Sequence, residues 1–500
     1  MVVAASMNSF EVIIIGAGFA GLGAALKLKG LGIEGFVVLE KSNDVGGTWQ
    51  QNTYPGCACD VPSVMYSFSF ALNPEWSRAY APQQEIQDYL CRCADAARLR
   101  EKVQLNTEVK SASWDPDTAR WRVTTSNDQV LEARVLISAI GALSRPAVPH
   151  LPGLENFRGK TFHSQRWDRS YSLEGKRVAM IGTGASAVQI VPAIASVVSK
   201  LEVFQRSATW IVPRNDQAIS VTRRALFRTV PLLMRLWRWL LYLLLEGGVI
   251  AFLRPGVMRL GERAARRHLR TQVKNPALRE ALTPHYRMGC KRVILSDDFY
   301  PALQRPNVEL VTAGITRIDA SSIHTADGKQ HEVDCIVLAT GFQATDPLGA
   351  VEVVGRDGLR LREVWADGMS AYKGTTVAGF PNLFFLVGPN TGIGHTSLVF
   401  MIEAQLSYVM GAITAMRKRG VAQVEVKPEV QAQFNADIVR RSKGTVWQSG
   451  GCTSWYLDSK GRNTTVWPGF TFAFWLATRR FDAQHYVGFG EDSPRQAASP

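Results

Sequence analysis

A β-branched run that ends in a glycine turn and enters an apolar helix occurs twice in this chain, from Phe10 and again from Lys176, and an arginine-rich apolar stretch follows the second copy. These observations predict an α/β fold with two Rossmann-like dinucleotide-binding domains and a helical insertion in the second. The chain has 500 residues, 46% of them apolar and 20% charged, which suits a globular protein with a core large enough to enclose a cofactor.

Phe10 to Ile15 (F-E-V-I-I-I) reads as a short buried strand. Gly16-Ala17-Gly18-Phe19-Ala20-Gly21 follows at once, Leu22 to Leu28 has helical apolar spacing, and Val37 to Leu39 makes a second strand ending in Glu40. Gly16 allows the tight turn, Gly18 lets the backbone approach a pyrophosphate, and Gly21 lets the helix sit close on the strand. The helix start offers free N–H groups and the positive end of its dipole to phosphates. Glu40, 24 residues after Gly16, can accept hydrogen bonds from ribose hydroxyls. A lone glycine fingerprint is weak evidence, but here strand, glycines, helix, second strand and acidic end occur in order. Their place at the beginning of the sequence points to FAD.

Lys176 to Ile181 is another strand, and Gly182-Thr183-Gly184-Ala185-Ser186-Ala187 repeats the fingerprint with Ala187 in the third glycine position, a permitted variant. The next strand, Leu201 to Phe204, ends in Gln205-Arg206-Ser207 without an acidic residue. An acid there would bind the 2′-hydroxyl of NAD and repel a 2′-phosphate. Arg206 can pair with that phosphate and Ser207 can donate a hydrogen bond to it, so the second site is expected to prefer NADPH. Two such modules in one chain point to electron transfer from NADPH to a flavin.

The formal net charge is +14, and the excess is local: eleven arginines lie between Arg223 and Arg270, against only Glu246 and Glu262. No nucleic-acid reading motif accompanies them, which argues against a nucleic-acid partner. The seven cysteines, at 57, 59, 91, 93, 290, 335 and 452, show neither zinc-site spacing nor a C-x-x-C redox pair. All seven are expected to be reduced thiols of a cytoplasmic protein, and no metal site is expected. The apolar N-terminal run has no preceding Lys or Arg and is broken by Gly16, Gly18 and Gly21, so it reads as a strand and not as a signal peptide.

Longer patterns carry a resemblance. Phe157 to Asp168, F-R-G-K-T-F-H-S-Q-R-W-D, is similar to the Baeyer–Villiger monooxygenase fingerprint F-x-G-x-x-x-H-x-x-x-W-[P/D]. Gly46-Gly47-Thr48-Trp49 continues through Tyr54-Pro55-Gly56 to Asp60 and resembles the family's second fingerprint at every fixed position. Gly289-Cys290-Lys291-Arg292 resembles the segment that carries the family's active-site arginine, Leu338 to Phe342 its A-T-G motif, and Ser454-Trp455-Tyr456 the S-W-Y that closes over the nicotinamide. The resemblance runs from about residue 10 to about residue 470.

This resemblance implies FAD and NADPH as cofactors and a ketone and O2 as small-molecule partners. In the family, reduced flavin and oxygen form a C4a-peroxyflavin that attacks the ketone, and one carbon migrates to give an ester or lactone. Thr48, Trp49, Asp60 and Tyr66 are implied to lie on the flavin, where Gly47 and Val109 are further candidate contacts. Lys291 is implied to join Arg206 and Ser207 at the 2′-phosphate, and Trp455 to bond the nicotinamide nucleotide. Arg292 is implied to be the catalytic cation beside peroxide and adduct, held by Asp60; a guanidinium suits this because it stays charged and presents a rigid donor fork. Phe157, Gly159, His163, Trp167 and Asp168 are implied to belong to the hinge coupling the two domains, with His163 and Trp167 away from the reacting carbon.

Domain limits follow from these motifs: residues 1–150 and 335–500 for FAD, 151–334 for NADP, with the helical insert at 217–285 and a mobile tail after Gly488. Within the insert the charge-free runs are too short to span a bilayer, so no transmembrane segment is expected. Two roles fit its arginine-rich, apolar stretch at 223–270: a lid whose apolar faces form a pocket wall, or an amphipathic surface that touches anionic lipid. Either way the substrate pocket is expected to be wide and apolar, suited to a bulky or long-chain ketone. Alternative activities are N- or S-oxidation, against which Trp167 speaks, and a membrane-associated flavin and NADPH binder without turnover, against which the Asp60, Arg292 and Trp455 set speaks. A flavin disulfide reductase would need a C-x-x-x-x-C pair that Cys57-Ala58-Cys59 does not supply. The sequence leaves the oligomeric state open.

Overall fold

The computed structural model describes residues 8–345, 348 and 351–489. The tail expected to be mobile lies from residue 490 onward outside the described residues. The first β-branched run forms β1 (Ser9–Ile15), followed by α1 (Phe19–Gly30) and β2 (Phe36–Leu39). Val12, Ile13 and Ile14 have no exposure, because β1 lies between parallel neighbours in the middle of the sheet. That sheet runs Glu352–Val354, Val109–Asp115, Arg120–Thr125, Val130–Ser138, β1, β2, Val103–Gln104, and Leu383–Phe385 pairs with Val130–Ser138. It therefore joins strands from the first third of the chain with strands from beyond residue 350.

The second glycine unit forms β3 (Arg177–Ile181), α2 (Ala185–Ile194) and β4 (Lys200–Phe204). Its parallel sheet runs Val308–Val311, β4, β3, Cys335–Leu338, Lys160–His163. Cys335–Leu338 corrects one expected domain limit, which assigned this strand to the returning flavin segment. It is paired on both sides, by β3 and by Lys160–His163, inside the second sheet. Four buried apolar residues suit that central position, and the chain returns to the first sheet only after it.

The insert folds as helices α3 (Val221–Thr229), α4 (Pro231–Gly247), α5 (Val249–Leu253) and α6 (Pro255–Gln272). Ser220 caps α3, and proline opens α4 and α6, where a missing N–H costs nothing. Two further helices matter below, α7 (Leu398–Arg419), which packs on α1, and α8 (Thr471–Thr478). By length and composition Pro231–Leu253 and α7 are apolar enough to cross a membrane. α7 is a core helix, 61% buried over its apolar window, whereas Pro231–Leu253 is only 17% buried and lies on the surface. Arg238 ties α4 to the flavin side by donating to the Val64 carbonyl at 2.6 Å and to Ser67 Oγ at 3.3 Å.

Candidate active site

One cavity of about 1950 Å³ connects the two glycine turns. At the first, Gly16 has a φ of +100°, and a Cβ on Gly21 would stand 1.8 Å from the Gly16 carbonyl oxygen, so the helix–strand contact requires glycine there. No side chain caps α1 at Gly18 or α2 at Gly184, and Gly18 and Gly184 both line the cavity. Two uncapped helix starts with no acid in the first turn fit two pyrophosphates. Gly21 and Ala187 act through packing, Ala187 being fully buried.

Glu40 is buried and accepts from the backbone N–H of Ala17 at 2.7 Å and of Ser42 at 2.9 Å. It also lines the cavity, and each carboxylate oxygen can accept a further bond from a ribose hydroxyl. Gly47 and Thr48 lie where a short helix, Thr48–Gln51, begins against the first turn; a Cβ on Gly47 would come within 2.9 Å of Gly18 Cα. Trp49 Nε1 donates to the Tyr66 hydroxyl at 3.1 Å, and Phe19 packs edge-on against Tyr66 at 5.0 Å. Phe19, Thr48, Trp49, Tyr66 and Val109 all line the cavity. These residues fit a flavin dinucleotide.

At the second turn the 2′-phosphate candidates converge. Lys291 Nζ donates to Ser207 Oγ at 3.1 Å, and Thr183 Oγ1 donates to the Ser207 carbonyl at 3.1 Å. Burial, then the nearby Arg206 charge, lowers the Lys291 ammonium below its ordinary value. Two neighbouring cations, neither paired with a carboxylate among the described residues, are what a doubly charged phosphate would stabilise. Ser186 lines the same region.

Between the two turns, Asp60 and Arg292 form a two-point ion pair, Nε to Oδ2 at 2.6 Å and Nη2 to Oδ1 at 2.7 Å, although 232 residues separate them. Burial opposes the charge on Asp60, yet the Arg292 charge and both hydrogen bonds outweigh it and hold the carboxyl below its ordinary value. The Asp60 charge in turn raises the Arg292 guanidinium, so the pair stays ionised. Trp455 is 42% exposed at the cavity rim and is held through its carbonyl, which accepts from Thr465 Oγ1 at 3.2 Å.

The fingerprint residues occupy a different place. His163 Nδ1 accepts from the Gln165 backbone N–H at 3.1 Å, so Nε2 carries the proton and donates to the Gly341 carbonyl at 3.1 Å. Burial lowers this imidazole below its ordinary value, against the bond to Gly341. His163 therefore ties the edge strand Lys160–His163 to the A-T-G turn. Trp167 packs edge-on against Phe162 at 4.9 Å in the core of the second sheet. Asp168 pairs with Lys160 at 2.6 Å, which, with bonds from Ser170, lowers it to about 2. A Cβ on Gly159 would meet the Asp334 carbonyl at 2.5 Å, and Phe157 packs into the cluster around Ile318 and Leu338.

The cysteine expectation is corrected. Cys290 and Cys452 form a disulfide, with a Cα–Cα distance of 6.2 Å. Arg287 N–H donates to the Gly450 carbonyl at 2.9 Å, and that pairing brings the two segments side by side. The other five cysteines are free thiols. The bridge joins the segment of Lys291 and Arg292 to the one leading into Trp455. Among the described residues no group of three or more His, Cys, Asp or Glu stands ready to hold a metal ion.

Three residues escaped the sequence reading. Tyr456 is buried beside Arg292; burial raises its hydroxyl, and the arginine charge only partly offsets this. Gln165, at a variable fingerprint position, donates to Gln51 Oε1 at 2.6 Å and to the Leu143 carbonyl at 3.1 Å. Gln189 of α2 accepts from the Tyr54 hydroxyl at 3.0 Å and donates to the Ala58 carbonyl at 2.9 Å, bridging the two nucleotide modules. Only Tyr456 had a signal, its place in the S-W-Y motif.

Comparison with known proteins identifies the family. The flavin-binding monooxygenase-like family model matches residues 9–354. A Baeyer–Villiger monooxygenase of Pseudomonas aeruginosa is 50% identical over 484 residues, 96% of this chain and 92% of the relative. One of Streptomyces coelicolor is 49% identical, covering 95% and 92%. Among solved structures, an oxidised steroid monooxygenase bound to NADP superposes with a TM-score of 0.85 at 32% identity, covering 94% of this chain and 97% of that one. A closed crystal structure of cyclohexanone monooxygenase gives 0.85 at 28% identity, covering 95% and 97%.

Proposed function

From the premise that the chain belongs to the flavin-binding monooxygenase-like family, as one of its FAD- and NADP-dependent Baeyer–Villiger monooxygenases, we propose that it converts bulky or long-chain apolar ketones into esters or lactones. The balance is ketone, O2, NADPH and a proton in, and ester or lactone, NADP⁺ and water out. Bound FAD, once reduced, activates O2 and delivers one of its atoms.

The observation that carries the reading is the two-point Asp60–Arg292 pair in the cavity between the two glycine turns. Negative charge builds first on the attacking oxygen and then on the former carbonyl oxygen. Arg292 is a fixed cation for both, and Asp60 orients it. A preorganised donor of this kind is typically worth ~3–4 kcal/mol in the transition state. Arg206, Ser207 and Lys291 select NADPH, which points to work in the cytosol, where that reductant is regenerated. Trp455 covers the nicotinamide end and keeps out water that would otherwise release hydrogen peroxide. His163 and Gln165 transmit movement between the sheets, and no proton transfer is assigned to them. Support for an apolar ketone comes from the cavity wall, which includes Val61, Ile393, Leu398, Val399 and Ile402.

The test is product mass spectrometry with ¹⁸O2, NADPH and a panel of linear, cyclic and aromatic ketones. One labelled atom in an ester or lactone is expected. Arg292→Ala is expected to consume NADPH without oxygenating the ketone, and a normal product yield from it overturns the assigned role.

A further inference from the structure

The insert turns an unusual face to solvent. On α4, Leu232, Leu236, Trp239 and Leu243 recur at helical spacing and are 61%, 56%, 61% and 62% exposed. Buried Met234, Tyr242 and Glu246 anchor the helix on the protein. A second apolar face stands beside it. The Tyr242 hydroxyl lies 3.0 Å from Thr471 Oγ1, and Glu246 accepts from Thr471 Oγ1 at 2.7 Å, so the start of α8 is docked on the last turns of α4. α8 then exposes Phe472, Trp475 and Leu476. Two helices more than two hundred residues apart in sequence thus present apolar side chains together.

The charge that the insert and the end of α8 expose has one sign. Arg235, Arg254, Arg259, Arg263 and Arg267 are exposed, as are Arg479 and Arg480 at the end of α8. The only carboxylates from Val221 to Gln272, Glu246 and Glu262, are buried. Glu246 bonds Thr471 and His395, and Glu262 bonds Arg287 and the Met288 N–H. A second copy of the chain laid on this face would set arginines against arginines with no carboxylate of the insert free to pair. An anionic bilayer answers both features: leucine and tryptophan enter the headgroup boundary while arginines reach the lipid phosphates. We propose that the exposed faces of α4 and α8, with their rim of arginines, dock this enzyme on anionic phospholipid membranes as a peripheral protein.

The experiment is flotation of the FAD-loaded enzyme with vesicles of mixed phosphatidylglycerol and phosphatidylcholine, and with phosphatidylcholine alone. Flotation with the anionic vesicles is expected, weakening at high salt and largely absent without the anionic lipid. Trp239→Glu with Leu243→Glu is expected to reduce bound protein by roughly tenfold or more, with FAD absorbance and the NADPH oxidation rate unchanged. Arg263→Gln with Arg267→Gln keeps the apolar face intact and is expected to flatten the salt dependence. The proposal is overturned if the wild type does not float, if it floats equally on neutral vesicles, or if the Glu variant floats as the wild type does. It is equally overturned if sedimentation shows a dimer that the Glu variant splits and that does not bind vesicles.

Discussion

Replacing Asp60 by asparagine keeps the shape of the side chain and removes its charge. Arg292 donates two hydrogen bonds to this carboxylate, at 2.6 and 2.7 Å. An asparagine accepts one of them through its carbonyl oxygen and turns an N–H toward the other guanidinium nitrogen, so at least one charge-assisted bond is lost. Such a bond is worth about 1.5–3 kcal/mol, or a factor of roughly 10 to 150. The side chains of Asp60 and Arg292 are 24% and 36% exposed to the cavity, and solvent screening places the effect in the lower half of that range. The expected result is an ester-forming rate reduced by about 10- to 30-fold, while NADPH oxidation continues and hydrogen peroxide replaces ester. Stopped-flow reduction of the flavin by NADPH, run beside quantitation of ester and peroxide, separates the two. An Asp60→Asn enzyme with wild-type ester yield per NADPH refutes the reasoning, because a guanidinium left to move should not stabilise charge at a fixed place.

Arg206→Ala is expected to raise KM for NADPH by roughly tenfold or more and to leave KM for NADH nearly unchanged, as steady-state kinetics with both nucleotides will reveal. Cys290→Ser with Cys452→Ser opens a bridge between residues 162 apart and is expected to cost about 2–5 kcal/mol; a lowered thermal midpoint, matched in the wild type by dithiothreitol, checks this. His163 has a pKa below its unfolded value of about 6.5. Its contribution to stability is therefore full above that pH and is lost as pH falls toward the lower folded value. His163→Gln should remove this part of the acid sensitivity in denaturation curves and leave the pH profile of ester formation in place; a shifted activity profile would assign His163 a proton-transfer role instead.

What was legible in the sequence is what local stereochemistry writes there. The two glycine turns could be read because Gly16 and Gly21 satisfy constraints imposed within a dozen residues, and the missing acid after Phe204 is equally local. The convergence of Asp60 on Arg292 and of Lys291 on Ser207 was reachable only through resemblance to a family, since no spacing rule relates residues 232 and 84 positions apart. The Cys290–Cys452 bridge was misjudged for the same reason. The domain limit at residue 335 fell one strand early because a buried parallel strand looks alike in either sheet, and only the pairing of Cys335–Leu338 with β3 and Lys160–His163 distinguishes them. The insert shows the division most clearly. Its composition announced apolar helices with arginines and left both a lid and a lipid-facing surface open. Which face of α4 meets water was decided by Tyr242 and Glu246 finding Thr471, a contact 225 and more residues away in the chain. A helix carries apolar side chains on several faces, and tertiary hydrogen bonds select the one that is buried.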